Sequence, residues 1–142
     1  MSVTPHILRI LVTIEVTDLL GHVNNVEYVR WMQDAATSHS DAVGCTAATQ
    51  ADGAAWVARS HHIEYLRPAF PDDEVQVRTW VGDYRRASSR RFYEFIRLAD
   101  GVLLARGETD WVYVDLASGR PRSIPAGVRS LFPLPPDTAP PK

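Results

Sequence analysis

Within eight residues, Asp18-Leu19-Leu20-Gly21-His22-Val23-Asn24-Asn25, the chain carries a carboxylate, a glycine, an imidazole and two carboxamides. A loop carboxylate can take a proton from water or attack an acyl carbon itself, provided that something polarises the carbonyl it faces. Gly21 lets backbone approach a ligand closely, and a helix beginning after the loop would offer unpaired first-turn N–H groups to an oxygen that becomes negative during attack. His22, four residues beyond Asp18, could orient the acid or a water, or could equally pack. An Asp where a strand gives way to a loop is by itself a common turn residue. The case for chemistry rests on the company it keeps.

The elements that must hold this loop can be read on either side of it. Residues 7–17 (ILRILVTIEVT) are apolar and β-branched, which predicts a strand leading in. Asn24 with Glu27 three residues later has capping-box spacing, so a helix is expected to start there. Tyr28, Trp31, Met32, Ala35, His39 and Val43 recur at steps of three and four as one broad apolar stripe. Gly44 supplies the left-handed stop, giving a helix of about five turns. After a polar connection from Thr46 to Gly53, strands are expected at 55–66, 74–81, 88–98 and 102–114, with no second long helix. The pair 88–98 and 102–114 is joined by Ala99-Asp100-Gly101, and its Asp-Gly signals a hairpin. In the last strand Leu103, Ala105, Gly107, Thr109, Trp111 and Tyr113 fall on one face, against Arg106, Glu108 and Asp110 on the other. One long helix against an antiparallel sheet, an α+β fold, follows from this order.

Two further clusters carry polar chemistry. In Ser60-His61-His62-Ile63-Glu64-Tyr65, strand alternation puts His62 and Glu64 on one face and His61, Ile63 and Tyr65 on the other. Two ligands without a third in reach do not make a metal site, and none is expected. Arg85-Arg86-Ala87-Ser88-Ser89-Arg90-Arg91 is the densest positive run, and such runs are usually solvated turns. Cys45 follows Gly44 at the negative end of the helix dipole, where a thiolate is disfavoured, and reads as structural. There is no Gly-x-Ser-x-Gly elbow, no P-loop and no dinucleotide fingerprint.

Composition narrows the classes. The 142 residues match the usual size of one domain, expected over 1–132, with a Pro-rich extended or disordered tail at 133–142 that holds five of the ten prolines. Fifteen Lys and Arg against 17 acidic residues give a formal charge of −2, which argues against a nucleic-acid binder. A lone cysteine forms no intramolecular disulfide, and Arg9 interrupts the only apolar run near the start. The expectation is a cytoplasmic protein with no leader and no membrane partner.

The stretch Asp18-Leu-Leu-Gly21-His22-Val23-Asn24-Asn25-Val-Glu-Tyr28-Val-Arg-Trp31 resembles the signature loop and helix start of hotdog-fold acyl thioesterases, a group that includes hydroxybenzoyl-CoA and plant acyl-carrier-protein thioesterases. The element order extends the resemblance from residue 7 to about 115. It implies a long central helix wrapped by a curved antiparallel sheet, two subunits joined sheet edge to sheet edge as a dimer or a dimer of dimers, and active sites at the subunit interface. It implies hydrolysis of an acyl-CoA or acyl-carrier-protein thioester without a cofactor. Asp18 matches the catalytic acid, the backbone around Gly21 and the helix start polarises the carbonyl, and His22 and Asn25 join the catalytic group. The plant branch has an Asn where this chain has Leu20, so a histidine-asparagine dyad is not carried over. The acyl group would run past Tyr28, Trp31 and Met32. Ser60, His61 and Glu64 would reach a site from the neighbouring subunit, and Arg85, Arg86, Ser88, Ser89 and Arg90 would clamp the coenzyme A phosphates. The alternatives are a hotdog hydratase or dehydratase on acyl thioesters, whose loops carry a Pro absent between Asp18 and His22, and a non-catalytic acyl-CoA binder.

Overall fold

The computed structural model describes residues 5–133. The chain runs β1 (His6–Leu11), a 3₁₀ turn (Ile14–Val16), α1 (Asn25–Ala42), α2 (Cys45–Ala51), β2 (Ala54–Tyr65), β3 (Glu74–Tyr84), β4 (Ser88–Arg97), β5 (Leu103–Asp115) and a one-turn α3 (Ala126–Arg129). The five strands form one antiparallel sheet in the order β1-β3-β4-β5-β2. This is the expected α+β arrangement of one long helix and an antiparallel sheet. All but the first residue of the expected Pro-rich tail at 133–142 lies outside the described residues.

Helix α1 starts where capping chemistry places it. The Asn24 side chain accepts from the Val26 N–H at 3.1 Å. Tyr28, Trp31, Met32 and Ala35 are buried against Val75, Val77, Tyr93, Phe95, Leu104 and Ala105 of the sheet. At β5 the helix comes so close that a Cβ on Gly107 would stand 3.1 Å from Met32 Sδ and 3.2 Å from the His62 carbonyl oxygen. Gly107 is thus the gap in the sheet into which the helix settles. A second apolar cluster, Cys45, Ala54, Val81, Tyr113, Ile124, Val128 and Phe132, closes the other end.

The structure corrects three expectations. The first strand stops at Leu11 instead of reaching residue 17: its partner β3 begins at Glu74, opposite Leu11, and beyond it only Val12 is still bonded, to Asp72 and Asp73, before the chain enters the 3₁₀ turn at Ile14. The connection 46–53 is mostly helix: Gly44, at φ 81°, turns the chain directly into α2, which shows no apolar stripe although its three alanines and Gln50 favour a helix. In β5 the pairing slips between Phe95 and Ile96, so Leu104 and Ala105 are both fully buried, and Val112 and Tyr113 are again buried side by side, so the expected two-residue alternation is broken. Both β1 and β2 are edge strands. β2 presents 12 residues along its outer edge, with Val57 half exposed.

Candidate active site

The Asp18 loop is a tight turn closed by an antiparallel bridge between Thr17 and Val23. The Asp18 N–H donates to the His22 carbonyl at 2.9 Å and the Gly21 N–H to the Asp18 carbonyl at 3.0 Å. Gly21 takes φ 79°, the left-handed conformation that this turn needs. Its own N–H is therefore committed within the turn, and its part is to shape the loop. The Asp18 carboxylate accepts from the Leu20 N–H at Oδ1, 2.9 Å, and its Oδ2 stands 3.6 Å from His22 Nδ1. Both side chains are about one-third exposed (32% and 30%), so the acid is held but open to solvent. The next segment is pinned to its surroundings, with the Val23 N–H on the Ala69 carbonyl at 2.9 Å and the Asn24 N–H on the Val16 carbonyl at 2.8 Å.

At the helix start, the N–H groups of Val26 and Glu27 are taken by the side chain and the carbonyl of Asn24. Among the described residues, the Asn25 N–H has no acceptor, and it is the first-turn donor left for an incoming oxygen. Beside it lies a cleft of about 200 Å³ lined by His22, Val23, Asn25, Tyr28, Tyr65, Leu66, Arg67 and Pro68. Tyr65 donates its hydroxyl to the Asn25 carbonyl at 3.2 Å, tying the end of β2 to this helix start. Tyr28 and Trp31 are 2% and 4% exposed. Tyr28 packs edge-on to Trp31, Tyr65 and Phe95, its burial raising the phenol to about 12, so these two side chains are core and Tyr28 alone reaches the cleft.

The three β2 candidates are not brought together. An extra residue, Arg59, bulges between Ala58 and Ser60 and pairs with Asp110 at 2.9 Å from its Nε. His61 hydrogen bonds through Nδ1 to the buried Thr109 hydroxyl at 2.8 Å, and partial burial lowers its pKa from the ordinary 6.5. Glu64 forms an exposed ion pair with Arg106 at 2.9 Å. Among the described residues, no three His, Cys, Asp or Glu side chains converge as a metal site would need.

The basic run also divides. Arg85 and Arg86 are exposed at the β3–β4 turn, and their carbonyls receive the Arg129 guanidinium. The backbone of Arg90 is fixed by Asp83. Ser88 and Ser89, expected beside the phosphates, are buried in β4 at 8% and 6% exposure. The last residue of the run, Arg91, was not singled out as a site residue and turns inward at 5% exposure. Its parity with Tyr93 and Phe95, two and four positions on, is the signal that could have found it.

Arg91 looks into a second cavity of about 280 Å³ at the far end of α1, lined by Ala36, Ser40, Cys45, Trp56, Val81, Tyr84, Ser89, Trp111 and Phe132 among others. Its Nη1 donates to His39 Nδ1 at 2.9 Å and to the Thr79 hydroxyl at 3.1 Å, and its guanidinium stands 5.2 Å from the centre of the Phe132 ring. Burial, the adjacent Arg91 charge and the stacked His6 ring together push His39 down to about 3, so His39 is a neutral acceptor.

Residues 12–132 match the family described as the thioesterase-like superfamily. A search of curated proteins finds no match. Among solved structures, a probable thioesterase, YbaW from Escherichia coli, superposes with a TM-score of 0.83 at 20% identity over 89% of this chain and 95% of its own. A 1,4-dihydroxy-2-naphthoyl-CoA thioesterase from Synechocystis gives 0.79 at 18% identity, covering 89% and 93%. The dynemicin thioesterase, described with a bound polyene, gives 0.81 at 26% identity, covering 89% and 94%.

Proposed function

Since this chain belongs to the thioesterase-like superfamily and is a thioester hydrolase, we propose that it hydrolyses an acyl-CoA to a free acid and coenzyme A, using Asp18 as its catalytic acid residue. The observation that carries this reading is a half-free carboxylate in the same loop as an unpaired donor: Asp18 Oδ1 is fixed by Leu20, Oδ2 has no hydrogen bond or ion pair among the described residues closer than His22 Nδ1 at 3.6 Å, and the Asn25 N–H stands at the helix start beside the cleft. In the reaction, Asp18 either takes a proton from water as the water oxygen attacks the carbonyl carbon or attacks that carbon itself. The carbonyl π electrons move to oxygen, where the Asn25 N–H and the positive end of α1 stabilise the charge. Collapse breaks the C–S bond. Where Asp18 has acted as base, the proton it took passes to the leaving thiolate and the free acid is already formed; where Asp18 has attacked, the thiolate takes its proton from water and a second water hydrolyses the acyl-Asp18 anhydride to the free acid. His22, 3.6 Å from Asp18, orients the acid.

The site is completed in a dimer formed by antiparallel pairing of two β2 edges. This arrangement is supported by the 12-residue free edge and by half-exposed Val57 on it. Such pairing puts the Trp56 end of one strand beside the Tyr65 end of the other, so the Arg91 cavity of one subunit faces the Asp18 loop of its partner. The exposed Arg85 and Arg86 serve the nucleotide phosphates. The acyl group enters the Arg91 cavity and not the closed core around Trp31. Purified protein given a panel of acyl-CoAs with a thiol-detecting reagent tests the reading: release of free thiol with at least one of them is expected. Binding of intact acyl-CoA with no thiol release across the panel would refute hydrolysis.

A further inference from the structure

Among the described residues, Arg91 is the one charged side chain in the buried class, and it has no carboxylate partner. An unpaired buried cation is costly, which makes an anionic partner from outside the chain the natural complement. Only Nη1 is engaged, by His39 and Thr79. Nε and Nη2 have no bond among the described residues, and neither is sealed away without a partner, so that edge of the guanidinium faces the cavity. No Asp or Glu lines the cavity. Trp56, Trp111, Val81 and Phe132 provide apolar walls around this single cation. A cavity of about 150 Å³ holds benzene, so by proportion the 280 Å³ here takes about eleven heavy atoms.

We infer that this cavity is a subsite for a carboxylate at the far end of the acyl group, so that the preferred substrates are monothioesters of short dicarboxylic acids. The Nε–Nη2 edge of Arg91 receives the carboxylate with two parallel charge-assisted hydrogen bonds, and the aromatic walls hold the methylenes behind it. This deepens the proposed hydrolysis and rests on it, since the thioester carbon must meet Asp18 of the partner subunit.

The test compares adipoyl-CoA with 6-methylheptanoyl-CoA, whose terminal branch replaces the carboxylate at equal heavy-atom count. The wild-type enzyme is expected to favour adipoyl-CoA in kcat/KM by about ten- to a hundredfold. Arg91→Met should bring that ratio to one or below, and Arg91→Lys should restore part of it. A wild-type preference for the neutral substrate overturns the proposal, as does an Arg91→Met enzyme that loses both activities in the same proportion. If neither thioester is hydrolysed, calorimetry with wild-type protein and the free acids separates the two ideas. Selective binding of adipate over 6-methylheptanoate upholds the subsite, with hydrolysis then decided by the acyl-CoA panel, and no selectivity overturns the subsite. The wild-type comparisons decide the matter even if Arg91→Met does not fold.

Discussion

Lowering the pH from 7.5 to 5 should weaken the fold through His39, and His39→Gln should remove that part of the weakening. In the folded chain the His39 ring lies between Arg91 Nη1 at 2.9 Å from Nδ1, the stacked His6 ring at 4.8 Å and the Phe132 ring edge-on at 4.8 Å. Burial first, then the Arg91 charge, then His6 hold it down to about 3 from 6.5. The unfolded chain therefore binds the proton more readily. Stability is complete above the unfolded value of 6.5 and is lost as pH falls toward 3. At pH 5 the unfolded imidazole has gained a proton over about 1.5 units that the folded one has not, which corresponds to about 2 kcal/mol. Partial exposure screens this to about 1 kcal/mol. Gln keeps an acceptor for Arg91 and does not titrate. Urea denaturation at pH 7.5 and 5 should then show wild type losing about 1 kcal/mol more than His39→Gln. His61, also lowered by burial, cancels in that difference. Equal losses in both proteins would refute the neutral assignment of His39.

Three further outcomes follow from the packing. Gly107→Ala sets a Cβ against Met32 and the His62 carbonyl and should cost about 1–3 kcal/mol in urea denaturation, since the carbonyl cannot move aside as the thioether can. Tyr84→Phe removes the hydroxyl that donates to the Phe132 carbonyl at 3.0 Å and the Arg129 carbonyl at 3.2 Å, and should cost about 1 kcal/mol by the same measurement. Val57→Asp on the β2 edge should shift the protein toward monomer in sedimentation and lower activity with it, whereas a monomeric but fully active variant would detach the site from the interface.

What was legible in the residues was whatever local chemistry decides. Asn24 caps α1 and Tyr28, Trp31, Met32 and Ala35 are buried along it because a cap and a period of 3.6 need no knowledge of the rest of the chain. The end of β1 was not legible, since it depends on where β3 begins, and neither was the bulge at Leu104, which is a property of two strands in register. The candidate loop was readable as a group, and the structure adds its division of labour: the Gly21 N–H is committed to the turn and the Asn25 N–H is open. Arg91 was hidden in a run of like charges. Its neighbours Arg85 and Arg86 are spread over a solvated turn, and only the parity it shares with Tyr93 and Phe95 separates it from them.

Asp18 is the centre of the account, and Asp18→Asn tests it with little disturbance, because Asn retains the oxygen that accepts from the Leu20 N–H. On an acyl-CoA that the wild-type protein hydrolyses, thiol release by the variant should fall about 10²–10⁴-fold in kcat, with its urea midpoint unchanged. Turnover at the wild-type rate would remove Asp18 from the chemistry and contradict the mechanism.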